Sequence, residues 1–289
     1  MERLARSWSL VKASWGVLRS DKELILLPVI SGLAAVLCVA PFFGAALLTS
    51  NMTRSAGEAA ASMGVAGYVL MFVGYLVGAY VTIFFQAALI HAADERLRGG
   101  DPTLGTAIAG AASRAGRILP WAIISATVST ILRGLQERSG FIGRLVLGLV
   151  GMSWTLVTFL VLPILVLEGT GVKDALGRST SAFKRTWGEN VVGNAGIGVV
   201  GSIAAFLGLI VAFPFVWVGI GADSAPLIIG GIALAVVWVL VVSAVSAALS
   251  GVFQTALYHY AIVGDEPRGF SHAQIAEAFT TKQRFGRRT

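Results

Sequence analysis

Charge is scarce in this chain, and that scarcity sets its physical class before any motif is considered. Only 13% of the 289 residues are Asp, Glu, Lys or Arg, 56% are hydrophobic, and the mean hydropathy is +0.79. Ordinary soluble domains carry about 25% charged residues, so a soluble domain is excluded and an integral membrane protein is indicated. Cysteine is nearly missing too. Cys38 stands alone, which excludes an intrachain disulfide and a cysteine-based metal cluster. No Asp, Glu, Lys or Arg falls in the middle of an apolar run, although proton-coupled pumps and many ion transporters mark their path with such residues. GxxxxGKS/T, HExxH and GxSxG are absent. The literal GxGxxG at residues 196–201, GIGVVG, lies within an apolar run and not at a strand-to-helix turn, so it indicates helix packing and not dinucleotide binding. No catalytic residue, cofactor or metal is expected, and the chain is not expected to be an enzyme. There is also no soluble basic domain, so the net charge of +7 does not imply a nucleic-acid partner.

Uninterrupted apolar length decides how often the chain crosses the bilayer. About 20 helical residues span the hydrocarbon core, and every backbone group must be satisfied within the segment. Six stretches qualify: Leu24 to Leu48, Met63 to Ala93, Ile118 to Leu135, the run between Arg144 and Glu168, Val191 to Gly221, and Leu227 to Val263. The third is the weakest. Only Ile118 to Leu132 separates Arg117 from Arg133, and Ser125, Thr127, Ser129 and Thr130 dilute it. Such a span is expected to pack inside the bundle or to fall short of a full crossing. The sixth, at 1.5 Å per residue, exceeds the roughly 30 Å core, so its end is expected to project or bend.

Lys and Arg set the orientation. The N-terminus, the second and fourth loops and the C-terminus hold 18 of the 22, whereas the opposite loops hold Arg54, Arg133, Arg138 and Arg144. Both termini are therefore expected in the cytoplasm. The first residues form a charged amphipathic segment, and the first apolar run is too long for a signal peptide, so no cleavable signal is expected.

The chain writes one phrase twice. FQAALIHAA at residues 85–93 and FQTALYHYA at 253–261 match at an offset of 168, and LARSWSLVKASWG at 4–16 matches LGRSTSAFKRTWG at 176–188 at an offset of 172. Two matches in the same order point to an internal duplication. Each copy opens with a segment of helical period: Leu4, Trp8, Val11, Trp15 and Leu18 in the first, and Leu176, Phe183 and Trp187 in the second. Such a stripe, with tryptophan on its apolar side and basic residues beside it, lies in the membrane interface or packs against the bundle. A degenerate third copy begins at Leu104, where Leu104, Ile108, Ala111, Ala115 and Ile118 keep the spacing at an offset of 100. The expected architecture is all-α: a single membrane domain of about six transmembrane helices in parallel internal repeats, each repeat preceded by a cytoplasmic amphipathic interfacial helix. The units are residues 1–97, 98–170 and 171–264, with 265–289 a cytoplasmic amphipathic tail.

Upstream of the doubled phrase, Gly78, Thr82 and Gln86 map onto Ser246, Ser250 and Gln254, a row of small or polar residues every fourth position. Rows of this kind let helices approach and hydrogen-bond, so the two glutamines are expected at equivalent helix contacts, facing each other. The alternative is a polar pocket or path lined by these six residues. His91 and His259 follow their glutamines by five residues, about 140° around a helix, and are expected to hydrogen-bond at the interface, as are Trp8, Trp15 and Trp187 to lie there. Two histidines are too few donors for a metal.

RSWSLVKASWGVL before the LLPVISG span, FQxALxHxA closing a hairpin, and GDPTLGTAI or GDEPRGFSHA opening the next segment together resemble an uncharacterised family of bacterial, largely actinobacterial, multi-pass membrane proteins of unknown function. The layout is also similar to the membrane domain attached to some glycerophosphodiester phosphodiesterases, although no soluble phosphodiesterase domain is present. The resemblance implies the helical membrane fold and a bacterial cell membrane location, and it supplies no activity. The expected function is that of a non-enzymatic membrane protein that handles or organises lipid or envelope components, or of a subunit of a membrane assembly. The alternative is a small-solute permease with a polar path between the repeats. Membrane lipids are the expected partners, with a protein partner or a second copy of the chain also open.

Overall fold

The computed structural model describes residues 12, 14–19, 21, 23–55, 58–185 and 187–264, with the backbone alone for 50–63 and 184–196. Trp8 and the tail at 265–289 lie outside these residues. After a helical stretch at 14–19 come α1 (Glu23–Leu48), a hairpin of β1 (Ser50–Ser55) and β2 (Glu58–Met63), α2 (Val65–Leu97), α3 (Leu104–Ala112), α4 (Ala115–Arg138) and α5 (Phe141–Val157). The helix of α5 resumes at Val161–Pro163 and ends in a π-helical turn, Ile164–Glu168; α6 (Val172–Arg185), α7 (Trp187–Gly221) and α8 (Ala225–Tyr258) follow, and α8 runs into a second π turn, His259–Val263.

Six of these helices are long and apolar enough to cross a membrane: Glu23–Leu48, Val65–Leu97, Ala115–Arg138, Phe141–Glu168, Ile197–Gly221 and Ala225–Val263. The fold is an all-α membrane bundle, and the antiparallel hairpin pairing Ser50 with Met63 is its one departure from helix among the described residues. Consecutive spans pack as α1 with α2, α4 with α5 and α7 with α8, and α2 sits at the centre, touching α1, α3, α4 and α8. Large apolar side chains such as Leu33, Leu37, Phe141, Phe206, Trp217 and Leu240 face outward. In water that surface would be an aggregation liability; in lipid it is solvated.

The third span differs from expectation. It is a continuous helix of 24 residues, about 36 Å at 1.5 Å per residue and so long enough to cross. It is also not internal, because Leu119, Ile123, Ile124, Ile131 and Leu135 are exposed while Ile118, Trp121, Ala122 and Ala126 face the bundle. Its polarity is tolerated through bonding within the helix: Thr130 Oγ1 donates to Ala126 O at 2.9 Å.

The burial is concentrated at one end, where α2, the π turns and α8 finish and α4 begins. Ala87 to Ile90, Ile164 to Val166 and Val252 to Tyr258 are buried there. This is also where Arg96, Arg98, Arg114, Arg117 and Arg178 lie, and it is called the basic end below. The short helices pack onto it with their small residues: Ala107 and Ala111 of α3, and Ala175, Ser179 and Ala182 of α6, are fully buried, with Leu104, Ile108 and Leu176 at their flanks. The large apolar stripe is therefore beside the contact and not at its centre, since a small residue lets a helix axis approach more closely than a leucine does. In the first segment the division is sharper. Ser14, Val17, Leu18 and Asp21 face inward, while Trp15 is 44% exposed, so Trp15 and Leu18 do not share one buried face. Trp187 opens α7, and nothing of its side chain is described.

Candidate functional site

The polar rows begin as packing and end as a contact between distant helices. A Cβ on Gly74 or Gly78 would run into Phe42 or Val39 of α1, and one on Gly201 of α7 would run into the Ser246 hydroxyl of α8. These small positions therefore let each hairpin close on itself. Thr82 Oγ1 donates to Gly78 O within α2 at 2.8 Å. Every fourth residue advances about 40° around a helix, so a row that starts against the partner helix of its own hairpin has turned away from it three turns later. Gln86 and Gln254 stand at that point. Gln86 Nε2 donates to Gln254 Oε1 at 3.3 Å, and Gln254 Nε2 donates to the Phe159 carbonyl.

That second bond has a local cause. The helix of α5 stops at Val157 and resumes at Val161, which leaves carbonyls and amides without helical partners. Two side chains fill the gap: Gln254 takes Phe159 O, and Ser179 Oγ donates to Val157 O at 2.5 Å while accepting from Leu160 N–H at 3.3 Å. Gln254 and Ser179 are both buried. Gln254 is thus bonded through both its oxygen and its nitrogen, while Gln86 is exposed and makes the one bond to Gln254, and Ser250 stands one turn earlier in the same row on α8.

One turn farther towards the basic end is a cluster of titratable groups, of which sequence reasoning had singled out His259 and left the others unassigned. His259 Nε2 lies 2.6 Å from Asp94 Oδ1, and Arg98 Nε is 3.0 Å from Asp94 Oδ2. Tyr258 donates through its hydroxyl to Glu168 Oε1 at 3.0 Å, and Glu168 Oε2 pairs with Arg178. His259 is 4% exposed and bonds to Asp94, so it is a buried helix-contact residue. Its counterpart His91 is half-buried, with its ring against Gly110 of α3. The two histidines of the doubled phrase therefore have different surroundings. The signal that could have found the cluster was simple: Asp94 and Glu168 are acids in the last turns of otherwise apolar spans, where an unpaired carboxylate is costly.

The ends of three spans meet in this cluster: α2 brings Gln86 and Asp94, α5 brings Phe159 and Glu168, and α8 brings Gln254, Tyr258 and His259. Both carboxylates are held by a cation, so the arrangement fastens helix ends. The short helices join it through caps. Thr103 and Thr106 form a reciprocal capping box at the start of α3, and Glu23 Oε2 accepts from Leu104 N–H at 2.6 Å. Asp21 Oδ1 accepts from Glu23 N–H at 3.1 Å at the start of α1, and burial raises its carboxyl above the ordinary carboxylate value, with the Glu23 N–H opposing the shift.

A different feature lies towards the other end of the bundle. Met71, Phe72 and Tyr75 of α2 and Thr130, Arg133, Gly134 and Glu137 of α4 line an open groove of about 340 Å³. Its floor is largely apolar, and both charges sit on one helix four residues apart. Neighbouring α5 buries none of its residues from Phe141 to Val157, so this side of the bundle is open laterally.

No curated protein matches the chain. Residues 65–269, which run from the start of α2 past the end of α8, match DUF6159, a family of unknown function. The match takes in the glutamine contact, the acid–base cluster and the groove, and on it the chain belongs to the DUF6159 family.

Proposed function

We propose that this is a non-enzymatic integral membrane protein of the bacterial cell membrane, with both termini in the cytoplasm, that handles or organises lipid. The observation that carries the reading is the contrast between a closed centre and an open flank. A solute path between the repeats needs polar side chains free to meet water, but Gln254 is buried, with its oxygen taken by Gln86 and its nitrogen by Phe159 O, which leaves Gln86 as the exposed member of the pair. The groove between α2 and α4 opens sideways, and its volume is within the range of small-ligand sites. Met71, Phe72 and Tyr75 suit an acyl chain, and Arg133 suits a phosphate at its end. The non-enzymatic part rests on the acid–base cluster, whose carboxylates are each taken up by a cation.

Native mass spectrometry of the full chain extracted with its own lipids tests this. A retained lipid in fixed ratio, lost when Tyr75→Ala and Arg133→Gln are combined, is the expected result. A stoichiometric protein partner with no retained lipid would instead make the chain a subunit of a membrane assembly, with the activity to be sought in the partner.

A further inference from the structure

The basic end holds an arrangement that neither the glutamine contact nor the groove uses. After the π turn at Ile164–Glu168, Gly169 takes a left-handed conformation, φ 67°. A Cβ there would collide with Arg114 Nη1 and with Arg117 Nη1. Both guanidiniums therefore lie against the same glycine and, by that measure, close to one another. Among the described residues neither has an ion pair or a side-chain hydrogen bond.

The surrounding charges do not neutralise them. Glu168 is already paired with Arg178 and accepts from Tyr258. Asp174, whose Oδ2 lies beside Gly171, is the other carboxylate of the segment, and Lys173 is its neighbour in sequence. Glu168 is taken up by Arg178, and among the described residues Asp174 makes no ion pair with Arg114 or Arg117, so both guanidiniums are without a paired carboxylate. Two like charges held together without a counter-ion repel. Two further features belong to the segments that meet here. Arg114 is the N-cap of α4, a 24-residue helix with no side chain capping its start, so the positive end of its dipole is directed there. The Thr170 hydroxyl, next in sequence to Gly169, is buried without a hydrogen-bond partner.

We propose that Arg114 and Arg117, with the N-terminus of α4, bind the phosphate of an anionic phospholipid. The level of the site selects a lipid over a free anion. Arg114 and Arg117 stand at the first turn of a membrane-spanning helix, where phospholipid phosphates lie, and basic pockets between transmembrane helices take anionic headgroups in this way. Arginine suits the task because its planar fork can present two N–H groups to phosphate oxygens. The site is independent of the groove between α2 and α4, which lies towards the opposite end of the bundle.

The test is retention of phosphatidylglycerol, against phosphatidylcholine, by the purified full chain in native mass spectrometry. Arg114→Gln with Arg117→Gln is expected to weaken phosphatidylglycerol retention about tenfold or more and to leave phosphatidylcholine retention unchanged. Arg19→Gln, which removes an exposed cation from the same end, serves as the control for bulk charge and should have little effect. If the double glutamine variant does not fold, Arg114→Lys with Arg117→Lys keeps the charge and removes the forks, and a loss of a few-fold is expected. The proposal is overturned if the paired variants hold phosphatidylglycerol as the unmodified chain does, or lose no more of it than Arg19→Gln. It is equally overturned if inorganic phosphate displaces the lipid at matching concentration, since the site would then recognise a free anion.

Discussion

Gln86 and Gln254 occupy equivalent places in the doubled phrase, but the structure loads them unequally. Gln254 is buried and holds two partners, whereas Gln86 is exposed and holds one. Gln254→Leu should therefore destabilise the protein more than Gln86→Leu. The coupling between them in a double-mutant cycle should be close to that of an interhelical hydrogen bond in a membrane, about 0.6 kcal/mol. Thermal melts of the two single variants and the double variant in detergent measure this, and equal single effects would contradict it. Asp21 offers a pH-dependent test. Because burial raises its carboxyl above the ordinary value of 3.8, the folded chain binds that proton more tightly than the unfolded chain. The sign follows: Asp21 costs nothing at pH below 3.8, and stability falls as pH rises through the folded value. Asp21→Asn keeps an acceptor for Glu23 N–H and removes this loss, so its advantage over the unmodified chain should grow between about pH 3 and pH 7. Asp21→Ala also removes the cap and should lose about 1 kcal/mol. An Asn variant whose advantage is the same at both pH values would refute the assignment.

At the scale of elements, long apolar runs were legible because lipid leaves the backbone no alternative to helix, and the six spans lie where apolar length places them. Packing was less legible, because composition does not say which face of a helix is inward. The third span is the clear case. Its polar residues suggested an internal or incomplete helix, yet Thr130 bonds within the helix and the isoleucines face outward. The short helices are the other case: apolar periodicity named Ala111, which is buried, but it also pointed to Leu104, Ile108 and Leu176, which stand at the flanks, and it passed over Ala107, Ala175, Ser179 and Ala182. Close approach also governs α7 and α8. A Cβ on Gly208 would fall on the Trp238 indole, whose Nε1 donates to Ala204 O at 2.8 Å. Gly208→Ala should cost about 1–3 kcal/mol through overpacking, and Gly208→Ala with Trp238→Phe should recover part of it. A Gly208→Ala variant that melts like the unmodified chain would mean that α7 and α8 do not meet at this point.

For the molecule as a whole, the decisive fact is that the fastening is at one end. The ends of α2, α5 and α8 are tied by Asp94, His259, Glu168, Tyr258 and Gln254, while the opposite halves of the spans present leucine, valine and phenylalanine outward. The doubled phrase set Gln254 opposite Gln86, but the acid–base ties were not legible as pairs, because Asp94 and His259 are 165 residues apart and a single sequence does not say which spans touch. Their effect should appear as a gradient of local stability, since segments with few buried contacts open first. Backbone hydrogen exchange in detergent should be slowest over Ala87 to Ala93 and Ala248 to Tyr258, and faster from Val65 to Leu70. His259→Ala leaves Asp94 buried with Arg98 as its remaining partner, and breaking a buried pair by removing one member typically costs 3–5 kcal/mol. The expected outcome is a loss of about 3 kcal/mol that appears as faster exchange at the basic end, with the outer halves of the spans unchanged. Adding Asp94→Ala removes the stranded carboxylate and should cost less than the sum of the two single changes. Uniformly faster exchange along all the spans would mean that the bundle opens as one unit and that the cluster does not fasten one end in particular.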